Sequence, residues 1–566
     1  MQLFDLHSFI DRAFRRDTGP EHPLQDEAAA RHVFLDLPPG DDAAGLAEVT
    51  HWVLTMNETD SFTPGRRARV LMELDDPARD LWRRLGARFL APGGKPSVRR
   101  DGDPTIPKAL LESAAQFSQG YALCIEGEER SRWVQQNLAR LALRRMRWLG
   151  RRLTLANMLH RPEADELWVQ ARALYTLAAS RGIERTVLPV FAGDPHRSTV
   201  KLEYVRLLLL DVAHPDGLLG REVELVYRIA QRVAPSALLE HEAPANAMYA
   251  VPASGHCRPV LGRSRDHWSA RPLFLDSSNC LTRLRGMLER DMGADPSDPD
   301  TLFGAEYTVG ERQDMLTRLI SLWGLDPPRR RSKRVPLQIQ VRLQGGLQSA
   351  LSDLPVFDQG GWAGDSDSGA DAFRIQLDHD AGAARKQSSA AAIQRCSARV
   401  VDASETGLAL AVARTDAAWA RLGLLVSVDM GGSQGWVVAV IRRISGADEE
   451  LRLGLLVLAR RPQAIWCKLE KVQGSSPWDG EAVREREFLD HFQRAILVDA
   501  HGVGAAALIS GELLIDPRLA SPGARFDVPL AKGMARVQVT DIRETGADFC
   551  RAAFVKMAPP AKPAAG

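Results

Sequence analysis

The stretch "DPPRRRSKRVPLQIQVRL", residues 326–343, is where the chain changes character. A proline pair stands at its start, and the residue before a proline is pushed away from helical geometry. "VPLQIQVRL" then alternates apolar and polar side chains with the period of two expected of a strand. Between them, five of the six residues from Arg329 to Arg334 are basic. Three readings fit such a run: a solvated linker, a nucleic-acid patch, or arginine forks aimed at phosphate.

Downstream, "VPLQIQVRL", "CSARVVDAS", "GLALAVA", "LLVSVD", "WVVAVIRRI" and "LRLGLLVLA" are short, aliphatic runs between turn residues. These six runs predict a small antiparallel barrel. One segment interrupts them: residues 358–392, rich in Gly, Ser, Ala and Asp, read as a flexible insertion after the first strand. From about 485 to 557, a short helical stretch, "AVREREFLDHFQR", precedes five strand-like runs, "AILVD", "AALIS", "ARFDVPL", "MARVQVTDI" and "CRAAFVK". These predict a second, smaller β unit, followed by a disordered tail at 558–566.

Upstream, residues 1–320 read as mainly helical. Apolar residues recur at three- and four-residue spacings through 130–160 and 164–182, and again through 201–215 and 220–235. Short loops between such segments predict stacked helical hairpins. No fixed-period repeat is evident, which leaves a solenoid open. The fold class is therefore multidomain α+β: a large α-helical N-terminal region, a six-stranded antiparallel β-barrel and a smaller C-terminal β unit.

Composition restricts function. The chain has 566 residues, 45% hydrophobic and 26% charged, ordinary for a globular protein. A net charge of +1 supplies no global field for nucleic acid or membrane, so anion binding has to be local. The six cysteines are widely separated, with no CxxC pair and no His at metal-ligand spacing. That predicts a reducing, cytoplasmic setting without disulfides or bound metal. The N-terminal sequence is too mixed in charge for a signal peptide, and no run is long enough for a membrane span.

The motif that carries chemistry is "VVDASETGLAL", residues 400–410. Asp402, Ser404 and Gly407 are spaced D-x-S-x-x-G between two apolar runs. The polar pair can cap a tight turn, or face a ligand with a carboxylate and a hydroxyl. Gly407 offers either positive φ or room for a close approach. Ahead of the first strand stands Arg330-x-x-x-Arg334, preceded by Arg329. R-x-x-x-R before a barrel strand with D-x-S-x-x-G after a later one resembles the PilZ family of cyclic di-GMP receptors. "WVVAVIRRI" followed by "LRLGLLVLA" is similar to the last two strands of that family's barrel, with Gly454 in its glycine-containing segment. The resemblance spans about residues 326–465.

It implies a PilZ-like barrel binding cyclic di-GMP, without other cofactor. Arg330 and Arg334 would clamp phosphates and guanine faces, Arg329 would add a third fork, and Asp402 and Ser404 would meet a guanine edge while Gly407 shapes the turn. One departure stands out: 67 residues separate Arg334 from Asp402, more than the family's usual gap, mostly because of the insertion. The insertion is either harmless or covers the pocket.

Other motifs carry less. Asp541, Arg543 and Gly546 repeat the D-x-S-x-x-G spacing with Arg for Ser, read as a hairpin turn or the relic of a duplicated barrel. Gly502-x-Gly504-x-x-Ala507 lacks the length of a dinucleotide-binding unit. His256 and Cys257 are adjacent and read as loop residues. "LRRMRWLGRRL" (143–153) is a basic stretch that either touches an acidic partner or pairs with neighbouring acids. The composite expectation is a non-enzymatic cyclic di-GMP sensor whose helical region is the surface for a protein partner, with no nucleic acid and no membrane span, acting in bacterial motility, biofilm or pilus regulation. The alternatives are a PilZ-like scaffold that does not bind the nucleotide, and a nucleic-acid-binding regulator using the arginine run.

Overall fold

The computed structural model describes residues 22–24, 26–38, 40–90, 105–160, 164–193, 196–262, 272–293, 303–304, 306–326, 332–357, 394–432, 435–446, 449–470, 492–498, 508–530 and 534–557. The insertion at 358–392, the 558–566 tail, Arg329, Arg330 and the glycines of the 502–507 motif lie outside them. The chain forms two compact units, Met1–Pro328 and Arg329–Gly566.

The first unit carries helices α1 Glu27–Leu35, α2 Asp42–Glu58, α3 Pro64–Leu90, α4 Thr105–Glu126, α5 Arg132–Met158, α6 Ala164–Ser180, α7 Val200–Val212, α8 Gly220–Val233, α9 Cys280–Gly293 and α10 Val309–Leu322. Their ends follow local chemistry. Ser131 caps α5 by accepting from the Val134 N–H, and Thr308 and Glu311 form a reciprocal capping box on α10. Sequence periodicity had no sign of the small sheets in this unit: β1 Leu188–Pro189 with β2 Arg197–Ser198, and a four-stranded sheet ordered β3-β6-β4-β5. Its strands, β3 Leu238–Glu240, β4 Tyr249–Val251, β5 Val260–Leu261 and β6 Leu273–Asp276, are too short for alternation to be read.

The basic stretch 143–153 does not form a free cationic face. Arg144 and Arg147 are buried, and Arg144 pairs with Asp75 and Asp76, Arg147 with Glu203 and Arg151 with Glu224. Asp75 is fully buried. It accepts from Tyr121 Oη at 2.5 Å, Arg144 Nη1 at 3.2 Å and Trp148 Nε1 at 3.0 Å. Buried charges persist when paired and hydrogen-bonded in this way. No helix among the described residues is long and apolar enough to cross a membrane.

The second unit is a tandem of two closed, six-stranded antiparallel barrels. The first comprises β7 Val335–Gly345, β8 Gln394–Ala403, β9 Gly407–Ala413, β10 Leu425–Asp429, β11 Trp436–Gly446 and β12 Glu450–Ala459, and helix α11 Leu347–Asp353 follows β7. The second comprises β13 Gln463–Leu469, β14 Gln493–Val498, β15 Ser510–Ile515, β16 Arg525–Pro529, β17 Met534–Thr545 and β18 Cys550–Lys556. Numbered within each barrel, both run 1-2-3-6-5-4 around the circle, so the C-terminal β unit repeats the topology of the first barrel. Two sequence expectations change here. β13 begins inside what was read as the end of the first β region, and Gln493 and Arg494, read as helical, open β14. The basic and aromatic residues in "QAIWCKL" hide its strand alternation, and the buried positions Ala464, Ile465 and Cys467 do not keep a strict period of two.

The barrels share a packed joint. Asp548, in the β17–β18 turn, accepts from the backbone N–H of Leu347 at 2.5 Å and of Leu425 at 2.9 Å. Its neighbour Ala547 donates to Gly423 O at 2.7 Å, and Arg442 pairs with Glu544 at 2.6 Å. Phe549, Leu351, Leu425, Ala464 and Ile496 fill one apolar cluster between the barrels.

A pH dependence follows from Asp75. Burial is the largest influence on its carboxyl and pushes it up to about 6 from 3.8, against the pull of Arg144 and the hydrogen bonds. A raised folded-state value stabilises the fold below the unfolded value, and that contribution is lost as pH rises through the folded one. Denaturant unfolding of wild type should therefore lose stability between pH of about 4 and about 6 relative to Asp75→Asn, and run parallel to it above about 7.

Candidate functional site: an arginine–aspartate pair on the first barrel

The site grows from the start of β7. Val335 pairs with Ala403 and Pro336 with Asp402, so the residue just before the strand, Arg334, arrives beside Asp402. Alternation separates neighbours: Lys333 is exposed whereas Arg334 is half-buried. The ladder slips between Pro336 and Ile339 on one side of β8, and between Val400 and Asp402 on the other. β-bulges of this kind re-aim side chains and recur beside functional sites. Pro336 costs little here because β10 pairs with Arg342–Gly345 of β7, and among the described residues no strand pairs with the first half of that edge.

Arg334 Nη1 lies 2.8 Å from Asp402 Oδ1 and donates to Oδ2 at 3.1 Å. Oδ1 is sealed from solvent and receives no directed hydrogen bond. The side chains are 31% and 25% exposed, so solvent reaches one flank of the pair and its net contribution to stability is modest. Two residues on, Ser404 closes the turn: its N–H donates to Gly407 O at 2.8 Å and its Oγ to the same oxygen at 3.4 Å. Gly407 has no positive φ. Close approach favours glycine instead, because a Cβ would sit 3.1 Å from Leu455 O on β12, a tight contact.

Arg334, Asp402, Ser404 and Gly407 are thus gathered at one end of the barrel. The long insertion does not keep the two halves apart. Its N-terminal flank, Phe357, packs in the core of the second barrel, and its C-terminal flank joins the opposite end of the β7–β8 ladder, where Gln394 pairs with Gly345. That end is roughly 30 Å along the strand at ~3.3 Å per residue.

Sequence reasoning passed over two participants. Val457 N donates to Thr406 O at 3.0 Å, and Arg460 Nη2 donates to Ser404 O at 3.0 Å and Glu405 O at 2.5 Å. The available signal was "ARRPQ", an arginine pair directly after the last strand. The arrangement presents a guanidinium to an anion and a partly unsatisfied carboxylate to N–H donors. No group of three or more His, Cys, Asp or Glu suited to a metal ion occurs among the described residues.

The echo at Asp541 is not the counterpart of this turn. Asp541 and Arg543 are exposed and pair with each other at 3.1 Å, on the hairpin between the fifth and sixth strands of the second barrel. The turn at 404–407 joins the second and third strands. Its topological counterpart is the segment between β14 and β15, where the sequence "DAHGVG" keeps Asp499 and Gly504 at the same spacing with His501 in place of Ser404. Those residues lie outside the described ones. Cys257 is buried, which raises its thiol and leaves it a poor nucleophile.

Fold and site together define a multidomain α+β protein with an arginine-bearing polar site on a small barrel. Its first unit resembles part of a known receptor: residues 28–245 match the family model described as "Cyclic-di-GMP receptor FimW, N-terminal domain". The match covers less than half of the chain and falls in the helical region. A search of curated proteins found no match.

Because β12 leaves little room at Gly407, Gly407→Val, which adds two methyl groups beyond Cβ, should destabilise the first barrel by about 1–3 kcal/mol, read from denaturant unfolding of the full chain.

Proposed function

We propose that the protein is a non-enzymatic cyclic di-GMP effector whose first barrel is a PilZ-like receptor module. The observation that carries this reading is the meeting of Arg334 and Asp402, 68 positions apart in sequence and 2.8 Å apart in space. The likeness of the helical unit to the N-terminal domain of a cyclic di-GMP receptor supports the same ligand independently of the barrel. Arg334 and Asp402 face each other as a partly exposed ion pair with one carboxylate oxygen left without a directed hydrogen bond. The nucleotide takes over both partners: a phosphate or guanine face draws the Arg334 fork, and a guanine N–H edge donates to Asp402. Ser404 contributes a hydroxyl at the same edge, and Gly407 keeps the turn flat against β12.

Arg330 and Arg329 complete the set in this reading, clamping the second phosphate and adding a third fork. They begin the second unit, next to the boundary at Pro328. Engagement of those arginines by the ligand shifts the population of arrangements available to the helical unit, which serves as the surface for a protein partner. A cytoplasmic role in motility, surface attachment or pilus control is the setting that fits such a receptor.

Calorimetric titration of the full chain with cyclic di-GMP tests the proposal. Wild type should bind, and Arg334→Ala and Asp402→Ala should each weaken binding about 10- to 100-fold, the loss expected for one charge-assisted contact. Absence of heat with wild type would leave the scaffold reading standing. A strong, salt-sensitive affinity for duplex DNA would favour the nucleic-acid reading.

A further inference from the structure

We infer that Arg460 is a positioning residue for the ligand turn, and that it ties the receptor site of the first barrel to the second barrel. The inference rests on the function proposed above. It starts from the connection between the barrels, which is only Arg460-Arg461-Pro462, since β12 ends at Ala459 and β13 begins at Gln463.

The turn from Ser404 to Gly407 exposes four successive carbonyls, and every one of them receives a donor. Arg460 Nη2 reaches Ser404 O at 3.0 Å and Glu405 O at 2.5 Å. Val457 N reaches Thr406 O at 3.0 Å, and Ser404 N reaches Gly407 O at 2.8 Å. Half of this satisfaction therefore comes from one side chain. Fixing those carbonyls fixes the peptide planes from Ser404–Glu405 to Gly407–Leu408, and with them the direction of the Ser404 side chain beside Asp402. A turn held in its binding geometry before the ligand arrives spares the complex the entropy of ordering it.

Arg460 is exposed. Removing its side chain empties no core volume, and the released carbonyls can turn to water. Its backbone is nevertheless firmly placed. Four residues on, Ala464 N donates to Pro355 O and Ala464 O accepts from Phe357 N, both at 2.8 Å, and Ile465 enters the core of the second barrel. The guanidinium on the turn is thus carried by the short connection between the last strand of the first barrel and the first strand of the second, the barrel that also grips Leu347 and Leu425 through Asp548.

The test uses full-length Arg460→Ala and Arg460→Lys. Three readouts are taken: cyclic di-GMP affinity by calorimetry, hydrogen exchange of the peptide spanning 400–410 in ligand-free protein, and the thermal midpoint without ligand. Arg460→Ala should weaken binding about tenfold and speed exchange in that peptide, with an unchanged midpoint. Arg460→Lys should recover part of both, because an ammonium can donate to the same two carbonyls. Unchanged affinity and exchange in Arg460→Ala overturns the inference, as does a lowered midpoint that Arg460→Lys does not restore. If wild type binds no cyclic di-GMP, the ligand reading fails; exchange in the ligand-free protein still decides whether Arg460 holds the turn.

Discussion

The antiparallel register that sets Pro336 opposite Asp402 is the constraint on which the site depends. Side chains alternate faces along a strand, so a slip of one residue would send Asp402 to the other face of the sheet. Three features pin the register. Val341, Leu343, Ala398 and Val400 enter the barrel core from the same ladder. The bulges on both sides of β8 absorb the irregularity near Pro336. Closure of the six strands leaves no freedom to slide. With register fixed, the last residue of the arginine run has one destination, the carboxylate that opens the turn.

The second barrel gives this arrangement a support that a lone barrel would lack. Its topology is that of the first, which makes it a structural repeat, yet no R-x-x-x-R precedes its first strand. Instead the preceding connection supplies Arg460 to the turn of the first barrel, and its last hairpin supplies Asp548 to two backbone N–H groups of the first barrel. Burial raises the Asp548 carboxyl while those N–H groups pull it down, so desolvation and hydrogen bonding oppose each other at the joint. The helical unit is organised by similar rules, with acids such as Asp75 and Glu203 buried beside arginines that one sequence stretch contributes.

The sequence was most legible where periodicity was long. All six strands of the first barrel and the long helices α5 to α8 follow from apolar spacing. Short strands were invisible: β3 to β6 offer two to four residues each, below the length at which alternation means anything. β13 was missed for a different reason, since Trp466 and Lys468 break up an already irregular burial pattern. In the candidate site, Arg334, Asp402, Ser404 and Gly407 could be named because their two motifs resemble those of a receptor family, whereas residue type and spacing alone left a capped turn open. Arg460 could not, because it acts through backbone carbonyls whose position only the folded turn defines. Gly407 illustrates the intermediate case: sequence offered positive φ or close approach, and Leu455 O decides for close approach.

The central claim is that residues before the first strand and after the second form one binding site. A double-mutant cycle on cyclic di-GMP affinity, with Arg334→Ala, Asp402→Ala and the pair, tests it most directly. Partners in one site should be coupled, so the double variant should lose less than the sum of the single losses, by about 0.5–3 kcal/mol. Losses that simply add would contradict the account, since they would mean that the two side chains meet the ligand, if at all, at separate places.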